Sequence, residues 1–435
     1  MAYDLPAGAI HPAGFNLDEV AFPPTFVRSF ANLRYGKALQ EGLRRPGRVP
    51  VYGTNGRCGW HDTALAQPPG VILGRKGQGH LGVEWCEVPF WVIDTAYFAD
   101  LDRRSIDPRW FYYITNYVGL DELKTGEKPG LNRDTFLAQV FPLPPLDDQR
   151  AIAEVLGALD DKIELNRQMN HTLEEMASAL FKSWFIDFDP VVAKAEGREP
   201  FGMDRATAAL FPASLNGELP TGWTGRVGED FYSIDKGVSY KGEFLTDAGK
   251  PMINLGCFLG RGRFRAERIK GYAGEYKPRH VVRPGDIVMA NTDMTQERLI
   301  LGSPCVVPDL GAEAAFLFSH HVFAVRLRPD APAGFREYIV LAHQQDSFRE
   351  RAEGFSNGTT VLGMPADAVL GAPITFPGAP LIAAFAGHAA AWRKLREANE
   401  RESRTLTTLR DALLPKLLSG EIRLKQAEKA VGAAL

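Results

Sequence analysis

Between Leu143 and Phe185 the chain reads LPPLDDQRAIAEVLGALDDKIELNRQMNHTLEEMASALFKSWF, and this stretch restricts the fold more than anything else in its 435 residues. Ile152, Leu156, Leu159, Ile163, Asn166, Asn170, Leu173, Ala177, Leu180 and Trp184 follow one another by fours and threes. That spacing puts them on one helix face, as a seam that pairs lengthwise with a second helix. Pro144, Pro145 and Asp147 mark the entrance, and the DFDP run from Asp187 to Pro190 marks the exit. The pattern predicts a helix over Asp147–Phe185. About 39 residues at roughly 1.5 Å each make a rod of about 58 Å. A rod of that length can hold two domains apart at a set distance.

The same writing returns near the C-terminus as PLIAAFAGHAAAWRKLREANERESRTLTTLRDALLPKLLSGEI. With Asn166 laid on Asn399 and no gap, Pro144 meets Pro377, Ala151 meets Ala384, Glu164 meets Glu397 and Leu180 meets Leu413. Upstream, Gly130-Leu131 falls on Gly363-Met364. The second seam is Phe385, His388, Trp392, Leu395, Asn399, Glu402, Leu406, Leu409 and Leu413. It predicts a helix over Pro380–Leu418, entered at Pro377 and Pro380 and left at Gly420, with Pro415 kinking or fraying the last turns. If the two helices pack antiparallel about a pseudo-two-fold axis, Asn166 and Asn399 meet near that axis. A polar residue in an apolar seam fixes register at some cost in stability. The alternative is two separate surface helices whose Asn residues face water.

The helices divide the rest of the chain into residues 1–142 and 188–376, each long enough for its own core. RVPVYGTNG, GVILGRKGQG and FWVIDTAYFA in the first, and PMINLGCFLGRG, GDIVMANTD and HHVFAVRLRP in the second, read as strands ending in Gly-rich turns. The expected organisation is therefore a domain over 1–142, a central spacer helix over 143–187, a second domain over 188–376 whose residues 188–222 lead in as a linker, a distal spacer helix over 377–420 and a tail over 421–435. The fold class is α/β in the α+β sense. Two strand-rich domains are separated by two long antiparallel helices in a coiled-coil-like spacer, with an internal pseudo-two-fold repeat.

The formal net charge of -3 argues against a chain that is basic throughout, but the charge is uneven. Arg28, Arg34, Lys37, Arg44, Arg45, Arg48 and Arg57 share a window with one acid, Glu41. Arg261, Arg263, Arg265, Arg268, Lys270, Lys277, Arg279 and Arg283 share theirs with Glu267 and Glu275. Each strip lies beside Gly-rich turns and aromatics, including Tyr35, Tyr52, Phe264, Tyr272 and Tyr276. Such strips suit phosphate contact, with polar turn side chains reading base edges. Besides Lys37, Arg261 and Arg263, the candidates for DNA contact are Thr54, Asn55, Arg57, Arg75, Lys76, Lys236, Ser239, Lys241, Asn291, Thr292, Asp293, Thr295 and Gln296. Ordinary turn chemistry would select many of the same residues.

Little else points to chemistry. Cys58, Cys86, Cys257 and Cys305 lack zinc-ligand spacing, which fits a reducing, cytoplasmic setting. No secretory leader, membrane span or phosphate-binding loop is expected. Phe258-Leu259-Gly260-Arg261-Gly262 fits a weak F-x-G-x-G pattern that some methyltransferases use to approach S-adenosylmethionine. The turn that holds an extruded adenine, Asn/Asp/Ser-Pro-Pro-aromatic, is missing from the sequence. His320 and His321, adjacent on a strand, are expected to point to opposite faces rather than to bind a metal. No cofactor is expected.

The run FPLPPLDDQRAIAEVLGALDDKIELNRQMNHTLEEMASALFKSWFIDFDPV resembles the central region of type I restriction–modification specificity (S) subunits, and LRDALLPKLLSGEIRL resembles their distal region. NGELPTGW, YGKAL…PVYGTNG and ILGRKGQGHLG resemble parts of their recognition domains. FPGAPLIAAF departs from the family pattern by lacking the PPL…Q of the first copy, and Trp392 is unusual. The resemblance implies two target recognition domains, each reading one half of a split double-stranded DNA sequence, with the helical rod fixing the gap. It also implies docking of two methyltransferase (M) subunits and of restriction (R) subunits, and no catalysis by this chain. The readings from other classes are an adenine methyltransferase built on the FLGRG turn and a coiled-coil scaffold without DNA specificity.

Overall fold

In the computed structural model, which describes residues 9–17, 19–77, 79–125, 129–260, 262–294, 299–311, 315–356, 358 and 362–435, Pro144 and Pro145 hold the chain extended and the central helix begins at Leu146. It runs unbroken to Phe185. One turn in, Gln149 is buried. Its carbonyl oxygen accepts from the Asp107 N–H (2.9 Å), and its amide donates to the Ser105 and Pro144 carbonyls (3.0 and 2.9 Å). This ties the helix start to the preceding domain by satisfying backbone groups that burial would otherwise leave unpaired. Past the far end, Phe188 takes a left-handed backbone (φ 56°) and sets its ring 5.5 Å from Trp223. The distal helix is Ala379–Ser419, and Gly420 ends it at φ 79°. Pro415 lies inside its last turns without stopping them. The expected fraying does not occur, since a proline so close to the end removes one donor while Leu417 and Leu418 stay buried.

The chain forms two compact units, Met1–Asn166 with Glu402–Leu435, and Arg167–Arg401. In the first, strands Ala31–Tyr35, Ala96–Leu101, Gly70–Gly74 and Val83–Cys86 lie antiparallel in that spatial order. A second sheet orders Gly56–His61, Val49–Gly53 and Trp91–Val92, its last pair parallel. Pro24–Phe26 pairs with Val140–Pro142.

The second unit repeats this plan. Tyr232–Lys236, Val322–Leu327, Ile287–Ala290 and Pro304–Val306 form an antiparallel sheet in the same relative order. Leu245–Ile253 runs parallel to Phe316–Phe318, as Val49–Gly53 runs parallel to Trp91–Val92. Thr224–Val227 pairs with Pro373–Phe376, again just before the long helix. The internal repeat therefore covers the strands as well as the helices.

Each unit contains a stretch of both long helices. In the first, Ile152, Leu156 and Leu159 share a core with Leu406, Leu413, Leu417, Phe111 and Phe136. Each such buried side chain contributes on the order of 1.5–3 kcal/mol. Ion pairs of Asp160 with Arg410 (2.7 Å) and Lys162 with Glu402 (3.2 Å) show the two stretches running antiparallel. In the second unit Glu174–Arg396 (2.6 Å) and the Phe181–Phe385 ring contact (5.7 Å) show the same sense. There Phe181, Trp184, Phe185, Phe385 and Tyr338 form one aromatic cluster.

The central seam is buried or half-buried along its length: Ile152, Leu159, Asn166 and Leu173 are buried, Ile163 and Leu180 half-buried. The distal seam needs correction. Phe385, Asn399, Leu406 and Leu413 are buried, but His388 is exposed, Trp392 is half-buried and Leu395 is 43% exposed. Between Phe385 and Asn399 the inward positions are Ala389, Arg393 and Arg396. The two arginines are neutralised by Glu337, Glu397 and Glu174, so charges occupy places that apolar counting passes over.

Both seam asparagines are buried and hydrogen-bonded. Asn166 donates to Glu402 (2.6 Å) and Ser403 (3.3 Å) in the first unit, and Asn399 donates to Asn170 (2.9 Å) in the second. The segments expected as a tail and as a linker contain helices. Leu424–Gly432 is a helix with Ala427 and Val431 buried in the first unit's core. The lead-in to the second domain contains helices Asp189–Ala195 and Arg205–Ala209, and buries Val191 and Phe211.

Candidate nucleic-acid interface

In the first unit, Thr54 and Asn55 form the tip of the hairpin between Val49–Gly53 and Gly56–His61. The Thr54 hydroxyl is 2.7 Å from the Lys76 carbonyl and 3.1 Å from the Thr95 carbonyl, so Thr54 pins three loops together. Asn55 and Arg57 stand exposed beside it, and the Arg57 guanidinium lies 4.6 Å over the Trp60 ring. Lys37 is exposed at the end of the first sheet strand, its carbonyl accepting from the Trp91 indole N–H (3.0 Å). Lys76 pairs with Asp94 (3.0 Å), Arg34 with Asp100 (2.6 Å) and Arg45 with Asp62 (2.9 Å). Such exposed pairs are worth at most about 1 kcal/mol, so a phosphate can displace the carboxylate at little cost.

Arg75 is the best-placed group here. Its Nη1 donates to the Asp94 carbonyl (3.1 Å), and its guanidinium lies 4.8 Å from the Tyr35 ring and 5.4 Å from the Tyr97 ring. Arg133 lies 5.9 Å from the other partner of this stack, Tyr35, which is 49% exposed. Arg133 was not among the sequence candidates, because nothing in the sequence places it beside Tyr35.

In the second unit Lys236, Ser239, Lys241 and Arg263 are exposed. Arg261, Thr295 and Gln296 lie outside the described residues. Asn291, Thr292 and Asp293 are buried, which corrects their reading as surface contacts. The Asn291 amide donates to the His320 carbonyl (3.0 Å), the Thr292 hydroxyl donates to Asn291 Oδ1 (2.7 Å), and Asp293 accepts from the Ile300 N–H (2.9 Å). They build the turn, which is the commoner use of such residues.

The histidine pair needs a second correction. His320 and His321 occupy the turn between Phe316–Phe318 and Val322–Leu327, and their ring centroids are 3.8 Å apart. Strand alternation does not apply in a turn. Burial, aided by nearby Lys236, holds both imidazoles below the usual histidine range, so both are neutral at pH 7. With Lys236, Thr292 and Met364 they wall a cavity of about 360 Å³.

The described residues on either side of Arg261 pair with one another. Phe258 bridges Phe264, the Leu259 N–H donates to Arg263 O (3.1 Å), and the Arg263 N–H donates to Gly260 O (3.2 Å). A glycine loop that cradles a cofactor opens from a strand into a helix N-terminus instead. Among the described residues no cluster of His, Cys, Asp or Glu could hold a metal ion, and no helix is long and apolar enough to cross a membrane.

Residues 95–175 match the family model described as the Type I restriction modification DNA specificity domain. The chain is 26% identical over 337 residues to the type I restriction enzyme HindI specificity subunit of Haemophilus influenzae, covering 69% of this chain and 73% of that one. It is 23% identical over 338 residues to the MjaIX specificity subunit of Methanocaldococcus jannaschii, covering 75% and 72%. The crystal structure of a type I restriction–modification S subunit from M. genitalium shares the fold at a TM-score of 0.57 and 15% identity, covering 94% of this chain and 99% of that one. In sequence the chain is thus similar to type I restriction–modification specificity subunits over about 70% of its length.

Proposed function

We propose that this chain is the DNA-reading, non-catalytic subunit of a type I restriction–modification complex, and that it recognises a split double-stranded target. The observation that carries this is the repeated plan: both units present the same four-strand order, the same parallel strand pair and a cluster of polar turns. One reader written twice suits a target written in two halves. On this reading residues 1–142 and 188–376 are the recognition domains, and 143–187 with 377–420 supply the spacer whose length sets the gap between half-sites. The helices dock two methyltransferase subunits, and restriction subunits join them, in the cytoplasm. A chain of quasi-equivalent halves offers equivalent surfaces to two copies of a partner. With a net charge of -3 it binds DNA weakly alone, the methyltransferase subunits supplying much of the clamp.

Methylome sequencing of cells carrying this gene and its methyltransferase partner gene tests the proposal. The expected result is a bipartite motif with methyladenine in both halves, lost on deletion of this gene. A compact, unsplit motif overturns the two-reader model, and nanomolar specific binding by the isolated chain overturns the weak-binding statement.

A further inference from the structure

The two units bring the same chain positions to one place but furnish it differently. Arg75 follows strand Gly70–Gly74; its N–H donates to the Thr95 carbonyl (2.9 Å) and its carbonyl accepts from Leu131 N–H (2.8 Å). Asn291 follows Ile287–Ala290; its N–H donates to the His321 carbonyl (3.0 Å) and its carbonyl accepts from Met364 N–H (2.8 Å). The next residues also correspond, Lys76 bridging Gly130 as Thr292 pairs with Gly363. By this register Asn291 stands where Arg75 does, His321 where Thr95 does, and Lys236 where Tyr35 does, the last two each closing a sheet strand before a glycine.

With the backbone held constant, the side chains diverge. The first unit fills the place with the Arg75 guanidinium stacked on Tyr35 and Tyr97. Among the described residues the second has no guanidinium there: Asn291 is turned down onto His320, and Lys236, His320 and His321 wall a cavity. A fixed frame with exchanged side chains is what a reader of variable sequence requires.

We propose that this place is the base-discriminating position of each domain, with Arg75 reading a guanine in one half-site and His321 together with Lys236 reading an adenine in the other. This rests on the function proposed above. The Arg75 plane is fixed by the Asp94 carbonyl and the tyrosine rings, which leaves donors for the O6 and N7 acceptors of guanine. The hydroxyl hydrogen of Thr292 goes to Asn291 Oδ1, so at 3.1 Å its oxygen accepts from His321 Nδ1–H. His321 Nε2 is therefore a bare acceptor. An acceptor beside the Lys236 ammonium matches adenine, which offers the N6 amino group as donor and N7 as acceptor.

The test uses the full chain assembled with its methyltransferase subunits and a randomised duplex library, scored by enrichment at each position. Arg75→Lys keeps the charge but loses the planar fork. It is expected to relax one guanine position in one half-site by about ten- to a hundred-fold, with the other half-site unchanged. His321→Phe keeps a ring but loses the acceptor, and should relax one adenine in the opposite half-site only. Unchanged preferences in both variants, or equal loss across both half-sites, overturn the proposal. If the wild-type complex enriches no bipartite sequence, the reading beneath it fails instead, and the proposal with it.

Discussion

The buried Asn166 amide donates to the Glu402 carboxylate at 2.6 Å, with Lys162 3.2 Å from the same oxygen. The amide, and after it the ammonium, hold this carboxyl below the ordinary glutamate range. The group's folded-state pKa is depressed, so its contribution is present above the ordinary value and is lost as pH falls through the folded one. Asn166→Ala is expected to destabilise the first unit by about 1–2 kcal/mol at pH 7, at the low end for a charged hydrogen bond because Glu402 is partly exposed. The gap between variant and wild type should narrow as pH falls below the ordinary glutamate value and through the folded one. Urea unfolding at pH 7 and pH 3.5 checks this; a gap independent of pH would mean that Asn166 acts by packing alone.

Arg393 reaches Glu337 (3.4 Å) and also pairs with Glu397, and Glu337 has only 6% of its side chain exposed. Glu337 also pairs with Arg336 (2.7 Å), so losing Arg393 weakens the compensation of this buried carboxylate without stranding it, whereas replacing both Arg393 and Glu337 with apolar groups removes the demand for it. Arg393→Ala should cost about 1.5–3 kcal/mol, the range for a lost charged hydrogen bond, since Arg336 still holds Glu337. Arg393→Met combined with Glu337→Leu should lie closer to wild type than either single change, measured as thermal midpoints. Additive losses in the double variant would refute coupling.

Gly36 and Gly237 hold corresponding places beyond the first sheet strand of each unit. A Cβ at Gly36 would lie 2.1 Å from the Ile93 carbonyl oxygen, and one at Gly237 would lie 2.2 Å from that of Ser319. Each carbonyl is held in a turn, Ile93 O accepting from the Ala96 N–H (3.1 Å) and Ser319 O from the Val322 N–H (2.9 Å), so neither withdraws without breaking that bond. Gly36→Ala and Gly237→Ala should each cost about 3 kcal/mol, the upper end for overpacking. Limited proteolysis should show damage confined to the altered unit. Cleavage spread equally over both would argue against independent domains.

The central helix was legible because its seam from Ile152 to Trp184 is apolar except for Asn166 and Asn170, so spacing and chemistry agree. The distal helix was legible as a helix but misread across His388, Trp392 and Leu395, because its inward face there is Ala389, Arg393 and Arg396. The repeat within the domains could not be read. Its strands are mostly short, and loops of different lengths between them break any single offset. At the candidate interface, Asn291, Thr292 and Asp293 were read as contacts because residues that build turns are the ones that read bases. Arg75 was legible as a polar side chain in a Gly-rich turn, whereas its stacking, Arg133 and the His320–His321 stack required the fold to bring them in.

His343 is fully enclosed in the second unit, stacked on Phe348 at 4.0 Å. The Tyr232 hydroxyl donates to the Val369 carbonyl (2.9 Å), so its oxygen accepts from His343 Nε2–H at 3.1 Å. Burial pushes the imidazole from 6.5 down to about 3. Between those values the unfolded chain binds a proton that the folded one does not, so stability falls as pH falls through that window. The slope from this residue is at most about 1.4 kcal/mol per pH unit. His343→Phe should cost about 1 kcal/mol at pH 7.5, where only the hydrogen bond is lost. Toward pH 5 the variant should become the more stable of the two. Urea midpoints at pH 7.5, 6 and 5, followed by tryptophan fluorescence, test the crossing. Parallel curves would show that His343 binds protons equally in the folded and unfolded states and that acid sensitivity arises elsewhere.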